Sequence, residues 1–189
     1  CGGQVHVAVQ PGDLVHPAQP LAWLLADSGG ADVQAGDKAE ALAQACDDTV
    51  RKAFVIGTER SFEQDAGFGL IVLSEIAQRA LSPAVNDSGT AIAIIGSLAR
   101  LLVLWGAPVE TAAEPTYPRV EVPELSVQDM FDDAFTPIAR DGAGAVEVVV
   151  RLQKVLSSLA FQADATMRDA ARAHGRMALA RAEKAMHPP

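Results

Sequence analysis

Between Phe62 and Leu81 apolar side chains return every three or four residues, with Phe68, Ile71, Val72, Ile76 and Ala80 on one face, and that spacing predicts an amphipathic helix. Pro83 stops it, because proline restricts the residue before it and brings no N–H to the helical ladder. Asp87 or Asn86 can accept the free N–H groups of a second apolar helix over about 88–105, which ends at Gly106 and Pro108. Two apolar stripes joined by so short a connection predict an antiparallel helix hairpin at the core of the domain.

The flanking segments read differently. Gln4 to Val9 alternates as a strand does, Pro11-Gly12-Asp13 makes a turn, and Leu14-Val15 and Leu21 to Leu25 resume extended apolar character. The turn is similar to that of barrel-sandwich modules of the biotinyl and lipoyl type, although Asp37-Lys38-Ala39, which mimics a lipoyl attachment triplet, opens an alanine-rich helix over 36–48 instead of capping a hairpin. Arg51 to Gly57 reads as a return strand. Beyond the hairpin, Glu110 to Pro123 is a proline-rich loop with Arg119 to Val122 as a short strand. Ser126 caps a helix to about Ala139, Ala145 to Phe161 is another, and Asp164 to Met186 is the last. The expectation is an α+β fold, mainly α: a helical core with the hairpin of about 62–81 and 88–105, and a small N-terminal β unit. Residues 1–57 form that β unit with one short helix, and 58–189 the helical domain packed with it.

Composition narrows the function. Hydrophobic residues make up 49% of the 189 and aromatics 5%, so the core is aliphatic and closely packed. The net charge of −9 argues against nucleic-acid binding, which needs clustered Lys and Arg. Charge is uneven: residues 1–140 hold 8 Lys and Arg against 19 Asp and Glu, whereas 141–189 hold 7 against 5. Arg168, Arg172 and Arg176 make an i, i+4, i+8 stripe on the last helix, open to two readings, a solvated face or a contact with anionic lipid. Cys1 and Cys46 lack the spacing of a zinc site and suggest no disulfide framework. Residues 91–105 are apolar, but Gly96, Ser97 and Arg100 interrupt them and they fall short of the ~20 residues that span a bilayer, so a buried core helix is the expectation. The chain opens without methionine inside a strand pattern, as a piece of a longer protein does.

The connection between the two central helices and the segment before them concentrate polar groups: Glu59, Arg60, Asp65, Arg79, Ser82, Asn86, Asp87 and Thr90. One reading is a ligand pocket in which Glu59, Asp65 and Asp87 bind a cation, or Arg60 and Arg79 with the N–H groups of Ser88 to Thr90 bind an anion. The other is a self-satisfied network that locks the hairpin: Asp87 caps, Glu75 and Arg79 pair at i, i+4, and a buried Arg79 reaches a carboxylate or loop carbonyls. No Gly-x-Ser-x-Gly elbow, zinc-protease spacing, dinucleotide fingerprint or phosphate loop is present, and His6, His16, His174 and His187 lie near the chain ends, so no serine triad, metal or cofactor is expected.

The run Arg79-Ala80-Leu81-Ser82-Pro83-Ala84-Val85-Asn86-Asp87-Ser88-Gly89-Thr90, with Ile56 to Arg60 and Gln64 to Gly69 before it, resembles the signature of a bacterial family of predicted multi-pass membrane proteins, domain of unknown function 2254. Gly12 to Leu21 and Ser126 to Leu159, which includes Pro137-Ile138-Ala139-Arg140, extend the likeness. The chain departs from the family at Ser88-Gly89, where a second proline usually follows Asn-Asp. The resemblance implies the soluble part of a membrane protein, cytoplasmic and attached to the inner membrane by N-terminal spans absent here. It also leaves two function classes. One is a non-enzymatic assembly, sensory or transport-gating module that works as a homo-oligomer. The other is a hydrolase-like enzyme or ion-binding domain using Glu59, Asp65, Arg79 and Asp87.

Overall fold

The computed structural model describes residues 3–26, 37–107, 114–162 and 164–187, and over them the chain is mainly helical with a small sheet, as the patterning predicts. The elements are β1 (Gly3–Val7), β2 (Ala22–Ala26), α1 (Asp37–Ala53), α2 (Ala66–Leu81), α3 (Ser88–Trp105), β3 (Val120–Glu121), α4 (Val127–Asp141), α5 (Val146–Leu159) and α6 (Ala165–Met186). They fall into two compact units, Cys1–Asp65 with Ala112–Glu124, and Ala66–Thr111 with Leu125–Pro189.

In the first unit the strand order is β2-β1-β3. Val5 lies opposite Leu24 of antiparallel β2 and opposite Val120 of parallel β3. Its N–H donates to the Arg119 carbonyl at 2.8 Å. His6 Nδ1 meets Glu121 Oε2 at 2.7 Å across the parallel pair, a cross-strand contact of the kind that fixes register.

The return strand expected over 51–57 does not form. Its first three residues belong to α1, which an Arg51–Asp47 pair at 2.9 Å and a bond from Thr49 Oγ1 to the Ala45 carbonyl carry past Asp48. Val55 and Ile56 are exposed, and β1 takes its third neighbour from Val120–Glu121, far along the chain. A short apolar run carries no information about which edge is free to pair with it. Cys46 on α1 is disulfide-bonded, against the expectation from spacing, while Cys1 lies outside the described residues. A lone cross-link depends on spatial approach, which two isolated cysteines do not encode.

The second unit is a ring of helices. α2 packs on α3 and α4, α4 on α6, α6 on α5, and α5 back on α3, so every helix turns one stripe inward. On α3 that stripe is Ala91, Ile95, Leu98 and Leu102. On α4 it includes Phe131, Ala134, Phe135 and Ile138, and on α5 Val148, Leu152, Leu156 and Leu159. α6 supplies Met167, Ala170, Ala171, His174, Ala178 and Ala182. The alanines on α6 keep it close to its neighbours, in the way small side chains permit.

The inward stripe of α2 corrects the sequence reading. Leu70, Ser74, Ala77 and Ala80 are buried, while Ile76 is exposed and Phe68, Ile71 and Val72 are only half-buried. Several overlapping apolar stripes run along this helix. Packing chooses between them: α2 lies against both α3 and α4, and at the hairpin connection the Asp87 N–H donates to the Ala80 carbonyl at 2.8 Å.

Candidate functional site

The connection from Ser82 to Asp87 is built almost wholly from local bonds. Ser82 Oγ donates to the Arg79 carbonyl at 2.7 Å. The N–H groups of Val85 and Asn86 donate to the Ser82 carbonyl at 3.0 and 2.9 Å. Asn86 has φ of 49°, the left-handed conformation that asparagine tolerates better than other non-glycine residues. That twist brings Asp87 to the N-cap of α3. There its Oδ1 accepts from the Thr90 N–H at 3.0 Å and its Oδ2 from Thr90 Oγ1 at 2.6 Å. These bonds hold the Asp87 carboxyl below its ordinary value, first through the Thr90 hydroxyl and then through the backbone N–H groups of Thr90 and Gly89. Beside the cap, Glu147 on α5 is lowered too, by its own backbone N–H and then by the Ser88 side chain. Asp87 caps α3, and local turn and cap bonds engage Ser82 and Thr90.

Arg79 does not follow the expectation. It is exposed, and no ion pair joins it to Glu75 among the described residues. Because Leu70, Ser74, Ala77 and Ala80 face the core, the rotation of α2 turns position 79 outward. Arg79→Ala is therefore expected to change the unfolding free energy by no more than about 0.5 kcal/mol, the ordinary range for a surface substitution. Chemical denaturation of the variant checks this, and a loss of several kcal/mol would show the side chain to be buried after all.

The remaining candidates belong to the first unit. Asp65 is 6% exposed and its carboxylate pairs with Arg60 Nε. Gly12, at φ of 91°, sits against this pair: a Cβ there would lie 2.7 Å from Asp65 Cγ and 2.8 Å from Arg60 Nε. Glycine is required on both counts, conformation and space. The sequence showed Gly12 only as a turn residue, because nothing local reveals that a carboxylate arriving from residue 65 occupies the place of its side chain. Glu59 is exposed. A cavity of about 280 Å3 in this unit is lined by Gln4, Pro115 and Tyr117 to Glu121, and contains none of the candidates.

Two further polar residues escaped the sequence reading. His174, apparent in the sequence only as an isolated histidine, is buried in the helical ring and bonded to Asp132 of α4. A signal existed: position 174 continues the small and apolar stripe Met167, Ala170, Ala171, Ala178 at helical spacing. Among the described residues no group of three or more His, Cys, Asp and Glu side chains is arranged to hold a metal ion.

Comparison with known proteins adds lineage. Over 43 residues the chain is 54% identical to the uncharacterized protein Rv1290c of Mycobacterium tuberculosis and, equally, to the uncharacterized protein Mb1321c of Mycobacterium bovis. The matched stretch is 23% of this chain and 8% of each relative, so the comparison reaches only a small part of those longer proteins. No solved structure matches the chain. The family comparison reaches much further, from the first strand almost to the end of α5, and with residues 1–158 matched, the chain belongs to the predicted membrane proteins of the DUF2254 family.

Proposed function

We propose that this chain is the non-enzymatic assembly module of a multi-pass membrane protein, held at the cytoplasmic face of a bacterial inner membrane by spans elsewhere in the parent protein, and that it works as a homo-oligomer. The observation that carries the reading is the outer face of α3. This helix is apolar and long enough to cross a membrane by length and composition, yet only 22% of it is buried. Ala93, Leu101, Val103, Leu104 and Trp105 are exposed, Leu104 at 72%. A contiguous apolar face of this kind on a soluble bundle marks an interaction surface. Arg100, bonded from Nη2 to Ser97 Oγ at 2.9 Å, stands on the same face and disfavours lipid as its cover. A second copy, meeting α3 with its own α3, buries the apolar residues and leaves the arginine able to pair.

The competing reading of Glu59, Asp65, Arg79 and Asp87 as an enzymatic or ion-binding constellation receives less support. Asp65 is paired with Arg60, and Asp87 is committed to the cap of α3. Light scattering on the chain at high concentration tests the assembly reading. A dimer is expected, with Leu104→Glu shifting it to monomer at unchanged helix content, whereas a strict monomer for the parent chain overturns the proposal.

A further inference from the structure

His174 lies mid-way along α6 with 2% exposure, and both of its ring nitrogens meet acceptors. Nδ1 is 2.9 Å from the Ala170 carbonyl oxygen, one turn back on the same helix. Nε2 is 3.0 Å from Oδ1 of Asp132 on α4. A carbonyl offers only lone pairs, and so does an ionised carboxylate. Neutral imidazole has a single N–H and would turn a lone pair toward one of the two oxygens. The imidazolium satisfies both, and the ring of Phe131, 5.5 Å away and tilted by 51°, presents an aromatic surface to that charge.

Asp132 is prepared for the same state. Its side chain is 49% exposed and accepts from Gln128 Nε2 at 3.2 Å and Thr136 Oγ1 at 3.1 Å besides His174. Burial pushes its carboxyl up, but the hydrogen bonds from His174, Gln128 and Thr136, with the charge of His174, together bring it below its ordinary value.

We propose that the His174–Asp132 contact is a protonation-controlled latch between α4 and α6, closed while the imidazole carries both protons and the carboxylate carries none. The surroundings leave the charge balance to this pair. α4 brings Asp132 and, adjoining it in the chain, the partly buried Asp133. α5 turns Val148, Leu152, Leu156 and Leu159 inward, together with the neutral amide of Gln153, whose Nε2 donates to the Gly175 carbonyl at 2.9 Å. On α6 itself the stripe is alanine on both sides of His174, and the next cation along it is Arg181, two turns on, with Nη1 buried and without a hydrogen-bond partner.

The latch matters because of where α6 sits. This helix lies beyond the family-matched residues 1–158, yet it packs against both α4 and α5 and so closes the ring. Loosening it opens the core at Phe131 and Met167, both fully buried in the closed state. The Asp132 carboxyl is held below its ordinary value in the fold, so its share of stability is present above that value and lost as pH falls through the folded one. Of the two ring N–H groups, the one on Nε2 crosses from α6 to α4.

Amide hydrogen exchange of α6, corrected for intrinsic rates and followed across pH on the whole chain, tests the proposal, with ring 15N spectra as a second readout. With the latch closed, both ring nitrogens of His174 are expected as N–H, since each faces an acceptor. On the alkaline side, α6 exchange is expected to rise on the order of tenfold or more, the consequence of losing one charge-assisted hydrogen bond. Asp132→Asn, a change at a half-exposed position that leaves the fold intact, is expected to abolish that rise, as is His174→Gln. A single N–H on the ring at acid pH, pH-independent exchange in the parent chain, or an unaltered alkaline rise in Asp132→Asn would each overturn the latch.

Discussion

Phe131→Ala is expected to lower the unfolding free energy of the helical unit by about 3–5 kcal/mol, the range for truncating a fully buried aromatic side chain. Phe131 is wholly inaccessible, and it sits on α4, which packs against both α2 and α6. Its ring meets Phe135 edge-on at 5.6 Å and 62°, and it lies against His174. Truncation therefore removes contacts with two rings and leaves a cavity that the backbones of a closed ring cannot collapse to fill. Phe131→Leu, which keeps most of the volume, is expected to cost less. Denaturant melts read through the fluorescence of Trp105, in the same unit, measure both changes once Trp23 has been replaced. A loss under about 1 kcal/mol for the alanine variant would mean that α4 does not occupy the centre of the unit.

Gly12→Val is expected to destabilise the sheet unit by about 2–4 kcal/mol, from two costs that act together. The first is conformational: at φ of 91° a β-branched residue is strained. The second is steric, because the added side chain would enter the space of the Asp65 carboxylate and press on Arg60 Nε. The carboxylate is buried, so pushing it off the guanidinium removes its partner without giving it water. Gly12→Ala is expected to show the same sign at smaller size. Trp23, on β2 beside β1, reports this unit separately from the ring of α2 to α6. Stability unchanged within about 0.5 kcal/mol in the alanine variant would show that Asp65 does not pack on the turn.

Local chemistry made part of this protein legible without coordinates. The end of α2 at Leu81 follows from Pro83 and the bounds of α3 from Asp87 and Gly106, all of which act within a turn of a helix end, and Asp87 caps α3 as its residue type and position predicted. Ser126 and Asp164 mark the starts of α4 and α6 for the same reason, each accepting from a backbone N–H three residues on. Bonds of this range are determined by residues close in sequence. The tertiary structure decided the rest. Which stripe of α2 faces inward is set by its packing on α3 and α4, and with it the exposure of Arg79. The third strand comes from 120–121 and not from 51–57, because pairing requires a free neighbouring edge, and only the folded chain has edges. Asp65 behind Gly12, and Asp132 beneath His174, are separated by 53 and 42 residues of sequence, and their partnerships exist only once the chain has closed. Propensity and capping are properties of a segment; burial and ionic pairing are properties of what the fold places against it.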